Sequence, residues 1–200
     1  MRQQGTITMN ANNYKSATAK IFYGVLGLSI FSIIGGFVSV AAFAASVAGE
    51  TAWYATVLPI LTVLCYVYYF IGLGTLYKEF TGNTYNSLKK VRTAAILSMV
   101  GTLCSLIPVA GNIIDGILAI IAAILCIQAY GYLRNAGDFP GTAGAKTLYT
   151  ATILEIIAAV LSIIPLIGIV GAILNVIVFI MVIVGWAKIK NAPINQVIEQ

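Results

Sequence analysis

An acidic residue in the middle of an apolar stretch is the strongest candidate for chemistry in this sequence. Glu155 lies nine residues after Lys146, which would place its carboxyl group about 12 Å into a bilayer if the segment is helical. A carboxylate at such a depth costs about 3 kcal/mol on insertion scales and usually faces protein or water. The functional alternatives are a proton site, a cation site or a ligand for a lipid headgroup. The structural alternative is a protonated acid that joins two helices.

Asn175 is the expected partner of Glu155. It lies on the next apolar segment, at a similar depth when residues are counted from the turn near Leu166. A hydrogen bond between the two side chains would join neighbouring helices inside the membrane. We therefore favour the packing role for Glu155 at this stage.

Two further polar groups, Asn112 and Asp115, follow a predicted turn. They form either the rim of an outward opening or an N-terminal helix cap, since Asn and Asp satisfy free backbone amides there and complement the helix dipole. The cap is the favoured interpretation. Small and polar residues also share one face of the preceding segment, which favours close helix packing over the lining of a path: Ser98, Gly101, Thr102 and Ser105.

The sequence lacks the residues that several kinds of chemistry usually require. The chain has no histidine, and its three cysteines, Cys65, Cys104 and Cys126, lie singly in apolar runs. Zinc, haem and histidine-based catalysis therefore have no recognisable ligand set, and no phosphate-binding or dinucleotide motif is present. We predict no enzyme activity, no cofactor and no metal. Nucleic-acid binding is also not expected, because the basic residues are scattered between apolar runs.

Composition indicates a membrane protein. The 200 residues are 60% hydrophobic and 8% charged, whereas a soluble domain carries about 25% charged residues. Three apolar blocks cover residues 21–77, 93–133 and 147–187, and the last two are 41 residues each. A single helix of that length would measure about 62 Å, twice the hydrocarbon core, so each block must fold back on itself.

The turns are marked by proline and glycine, which end a helix and permit reversal. Pro108 and Gly111 mark the second block, Pro165 and Gly168 the third, and Gly49 to Thr51 the first. The predicted fold is all-α, with six transmembrane helices arranged as three helical hairpins. The predicted spans are 20–47, 52–77, 90–107, 111–133, 147–164 and 168–189.

The positive charges predict the topology. All 11 Lys and Arg residues fall in the four polar segments 1–20, 78–92, 134–146 and 188–200. These segments lie on one side of a six-span protein, and the positive-inside rule makes that side cytoplasmic. Both termini are thus predicted in the cytoplasm, in a cell membrane of the prokaryotic inner-membrane type. A re-entrant course for the short spans would give the same pattern.

Aromatic side chains near the predicted cytoplasmic ends are typical of an interfacial belt: Tyr66, Tyr68, Tyr69, Tyr77, Tyr130, Tyr132 and Trp186.

The second and third blocks are related by an internal repeat. At an offset of 57 residues, 11 of 38 positions are identical, among them Lys89 with Lys146 and Pro108 with Pro165. The first block echoes the pattern more faintly. Repeats of two spans each share one orientation and are related by an axis along the membrane normal.

Three functional hypotheses follow. The favoured one is a structural or accessory membrane subunit that packs against another membrane protein or against its own copies, with the bilayer as its main partner. The second is a small transporter or channel that uses Glu155. The third is a membrane-shaping protein with re-entrant hairpins.

Overall fold

A computed structural model describes residues 10–47, 54–104, 107, 110–162 and 168–194 of the chain. Over these ranges the chain is helical and contains no strand. A single 3₁₀ turn, Tyr77–Glu79, joins the second helix to the third. The six helices are α1 (Ala11–Val47), α2 (Tyr54–Leu76), α3 (Gly82–Cys104), α4 (Ala110–Leu133), α5 (Thr142–Ser162) and α6 (Gly168–Lys190).

Three helices begin earlier than the predicted spans. Helices α1, α3 and α5 start at Ala11, Gly82 and Thr142, within segments that the sequence suggested were polar connections. Each polar start continues into its apolar stretch without a proline, and adding one residue to an existing helix gains one hydrogen bond. The start of α1 is capped by Asn10, whose Oδ1 accepts from the backbone N–H groups of Asn12 and Asn13 at 3.0 and 3.3 Å.

Five helical segments are long and apolar enough to cross a membrane. They belong to α1, α2, α4, α5 and α6, so the helical membrane class is supported by the structure. Helix α3 is not among the five within the described part of the chain. Its first half carries Lys89, Lys90 and Arg92, and only the 12 residues 93–104 form its apolar part.

The helices pack in a closed ring. Each contacts the helix before and after it, α6 contacts α1, and the most extensive contacts join α1 with α2, α3 with α4, and α5 with α6. These three pairs run antiparallel. Along α1 and α2, for example, Gly24 lies against Tyr69, Gly27 against Cys65 and Gly35 against Leu58.

We call the end of the ring that carries the described Lys and Arg residues the basic end, and the opposite end, which has no described Lys or Arg residue, the charge-free end. Apolar side chains pack together at the basic end, and we call this cluster the apolar plug. Phe80, Phe139 and Ile194, from three successive polar segments, are each buried there. The Phe80 ring packs edge-on against Phe139 at 5.7 Å and against Tyr14 at 6.4 Å. Tyr14 also donates a hydrogen bond to the Ile189 carbonyl at 2.9 Å.

A cation lies over an aromatic ring at each junction between the antiparallel pairs. The Arg92 guanidinium is 4.0 Å from the centre of Phe70, and that of Arg134 is 4.0 Å from Tyr149. At the α6–α1 junction, Lys190 lies 4.6 Å from Phe22. Such contacts gain strength where water is excluded, so they hold the junctions together at the basic end.

One hydrogen bond at the basic end gives a testable effect on stability. Thr84 is fully buried, and its hydroxyl donates to Asp138 Oδ1 at 2.6 Å. The Thr84→Val variant keeps the shape but removes the donor, so its free energy of unfolding should fall by about 1.5 kcal/mol. Denaturant unfolding in detergent measures the change. The matched variant Thr75→Val loses only a bond to the Ile71 carbonyl of its own helix and should change little. An equal loss in both variants would contradict this role for Thr84.

Candidate functional site

Glu155 completes a buried stripe on α5. Gly144, Leu148, Ala151 and Ala158 recur three or four positions apart and are all buried, and Glu155 occupies the position between the last two. Residues at such spacings share one helical face. The carboxyl side chain therefore points to the inner side of α5, whereas Ile157 lies on the opposite face and is exposed.

Glu155 differs in exposure from the other residues on this face of α5. Its side chain retains a large exposed fraction, whereas the alanines one turn away on either side, Ala151 and Ala158, have none.

The neighbours of Glu155 come from across the ring. Cys126 and Tyr130 on α4, and Tyr66 on α2, lie close enough to interact electrostatically with it. Helix α4 is the neighbour of α5, but α2 is not adjacent to α5 in the ring. Tyr66 is thus within electrostatic range of Glu155 although their helices are not neighbours in the ring.

Tyr66 also lies within electrostatic range of a second acid, Asp115. Its hydroxyl is within hydrogen-bonding reach of the Ser98 and Thr102 side chains on α3, and it also interacts with Asp115 on α4. Tyr66 on α2 is thus within electrostatic range of Asp115 on α4 and of Glu155 on α5.

A glycine on α3 positions Asp115. A Cβ atom at Gly101 would collide with Asp115 Oδ1 and would lie 3.3 Å from its Cγ. Only glycine lets the two helices approach closely enough to hold the carboxyl group between them.

Asp115 lies in the second turn of α4. This helix begins at Ala110 and has no acidic residue in its first turn. Asn112 is in the first turn, and the structure does not describe its side chain.

Asn175 has the expected place but not the expected bond. It is half-buried between Gly171 and Val178 on the inner stripe of α6. No hydrogen bond joins it to Glu155 in the described part of the chain. The close approaches of Gly144 and Leu148 to Gly185 place Asn175 between the level of Glu155 and about one turn beyond it.

The residues predicted at the turns are only partly described. Pro108 and Pro165 lie outside the described residues. Gly111 is in the first turn of α4, where its N–H donates to the Ile107 carbonyl at 3.0 Å. Gly168 is the first residue of α6.

Sequence reasoning misassigned part of the aromatic belt. Tyr69, Tyr130 and Trp186 are buried, and the rings of Tyr69 and Trp186 pack edge-on at 5.8 Å. By contrast, Tyr68 and Tyr132 are exposed. The available signal was spacing: Tyr66, Tyr69, Leu73 and Leu76 recur on one face of α2.

Buried aromatic and aliphatic residues pack between Glu155 and the basic end. In α2 every buried large side chain lies toward the basic end, at Tyr69, Leu73 and Leu76. None of the described side chains at positions 57, 58 and 60–68 is buried. The described buried side chains of α2 are thus concentrated at the basic end. No group of three His, Cys, Asp or Glu residues forms a metal site in the described ranges.

Five long apolar helices in the described part of the chain are consistent with a helical membrane protein. Comparison with known proteins finds no matching family model, no similar curated protein and no similar solved structure.

Proposed function

We propose that the protein is a small transporter or channel that moves protons or small cations through a site centred on Glu155. The position of Glu155 carries the proposal. It shares one face of α5 with buried residues, keeps a large exposed fraction, and lies within electrostatic range of groups on α2 and α4. An intramembrane acid in such a place is by default a functional site.

The packing alternative is less well supported. A structural acid should donate or accept a hydrogen bond across helices, and none joins Glu155 to Asn175 among the described side chains. The small residues that suggested an accessory subunit also pack against this chain itself. Gly24 lies against Tyr69, Gly72 against Ile21, and Gly144 against Gly185, so these residues do not leave a small-residue surface for a partner.

A proton path would run from Asp115 through Tyr66 to Glu155. A tyrosine hydroxyl both donates and accepts hydrogen bonds, and Tyr66 lies within electrostatic range of both acids. A small cation would bind the same Glu155 carboxyl group in place of the proton. The apolar plug at Phe80 and Phe139 is then the closed gate at the basic end.

The proposed topology follows the charge pattern. We place the protein in the cell membrane with the basic end and both termini in the cytoplasm, and read the antiparallel pairs as three hairpins in tandem repeat. The junction contacts support the repeat: at the offset of 57 residues, Tyr77 corresponds to Arg134 and Arg92 to Tyr149. Arg92 also lies over Tyr77 at 5.2 Å. The position that holds the cation in one repeat therefore holds the aromatic ring in the other. Rocking of one repeat against another is a known route to alternating access.

Accessibility of position 155 tests this proposal. In a variant with all three cysteines replaced by alanine, Glu155→Cys should react with a membrane-impermeant thiol reagent added at the charge-free side. The same reagent should fail from the basic side, because the plug closes that end. The control Ile157→Cys, on the opposite face of α5, should be unreactive from either side since it faces lipid. Equal reactivity at 155 and 157, or none at 155, would contradict an internal site.

A further inference from the structure

A second polar site lies on the outside of the ring, between α3 and α4 at the basic end. It is a cavity of about 610 Å³. The residues that define its chemistry are Asn83, Asn86, Lys89 and Lys90 on α3, with Gln128 and Tyr132 on α4. It does not include the groups around Glu155, so the proposed transport role does not account for it.

The charge of this cavity selects an anion. Two lysines line it, and no acidic residue does. Lys90 Nζ donates to Gln128 Oε1 at 2.8 Å, which holds the ammonium group at the cavity wall. The two acids described near the basic end are engaged elsewhere: Glu79 accepts from Asn13 at 2.9 Å, and Asp138 accepts from Thr84.

The surface beyond the cavity selects a lipid rather than a soluble anion. Toward the charge-free end, α3 and α4 expose apolar side chains, among them Val100, Ile121 and Ile124. The apolar part of α3, residues 93–104, is about 18 Å long, close to half of the roughly 30 Å hydrocarbon core. A molecule with a phosphate beside the lysines would therefore lay its acyl chains along this surface.

The corresponding groove between α5 and α6 lacks this character. It is lined by Pro140, Ala143 and Val184, with Lys188 as its one lysine. Lys146, which corresponds to Lys89 at the repeat offset, does not line it. The paired lysines thus distinguish one groove from its counterpart.

We propose that the cavity between α3 and α4 binds the phosphate headgroup of an anionic phospholipid through Lys89 and Lys90. Asn83, Asn86 and Tyr132 offer hydrogen bonds to the headgroup oxygens, and the apolar faces of α3 and α4 hold the chains. Basic pockets between membrane helices on the cytoplasmic side commonly recognise such headgroups.

Native mass spectrometry of the full-length protein, titrated with phosphatidylglycerol or phosphatidylcholine, tests the site. The wild type should retain phosphatidylglycerol in preference to phosphatidylcholine. The double variant Lys89→Gln/Lys90→Gln should bind phosphatidylglycerol about thirtyfold more weakly, from the loss of two lysine contacts. The double variant Lys78→Gln/Lys146→Gln removes the same charge outside the cavity and should bind within about twofold of wild type.

Two outcomes would overturn the proposal. An equal loss in both double variants would show attraction to net charge rather than a site. Displacement of phosphatidylglycerol by an equal concentration of glycerol 3-phosphate would assign the cavity to a soluble phosphate, because the acyl chains would then contribute nothing. This experiment measures lipid binding and not transport. Its result therefore does not depend on whether Glu155 transports protons or cations.

Discussion

Replacing Gly144 with alanine is expected to force α5 away from α6 and to lower the free energy of unfolding by about 3 kcal/mol or more. A Cβ atom at this position would collide with the carbonyl oxygen of Gly185 and would lie 2.9 Å from the backbone N of Ile189. Both obstructions are backbone atoms, so no change of rotamer relieves them. The loss should appear as a lower denaturant midpoint in detergent.

Gly116 provides the matched control. It lies within α4, and a Cβ atom there meets nothing within 4 Å. Gly116→Ala should leave stability unchanged or raise it by up to about 1 kcal/mol, because alanine favours a helix more than glycine does. Equal losses in the two variants would contradict the close approach of α5 and α6.

The positions of the helices were largely predictable from the sequence because their determinants are local. Long apolar runs broken at Pro108 and Pro165 cannot remain single helices across a bilayer. The helices in the structure accordingly end at Cys104 and Ser162 and resume at Ala110 and Gly168. The early starts of α1, α3 and α5 were not predicted, because hydropathy marks where a segment enters the membrane and not where its helix begins.

The candidate site was predictable only in part. Glu155 was identifiable because a carboxylate in an apolar run is costly wherever it points. Its neighbours were not, because lipid-facing and protein-facing sides of a membrane helix are almost equally apolar. Tyr130 and Tyr132 illustrate the difficulty: they lie two residues apart, yet the first is buried and the second exposed. No hydrogen bond joins Asn175 to Glu155 among the described side chains, and such a bond depends on how α5 and α6 are offset.

The variant Glu155→Gln is expected to abolish transport while leaving the fold intact. Glutamine matches the size of a protonated glutamate and keeps its hydrogen bonding, but it cannot take up or release a proton. Hydrogen bonds between membrane helices average only about 0.6 kcal/mol, so the stability should change by less than about 1 kcal/mol. Glu79→Gln is the control, since it removes an acid at the surface of the basic end.

Proton flux into vesicles that contain the purified protein and a trapped pH-sensitive dye is the most direct test of the central claim. A potassium diffusion potential drives the flux, and vesicles without protein give the leak rate. The wild type and Glu79→Gln should acidify the interior well above the leak, and Glu155→Gln should match the leak with an unchanged melting temperature. If the wild type shows no flux of protons, sodium or potassium above the leak, or if Glu155→Gln transports as well as wild type, the protein is not a transporter that works through Glu155.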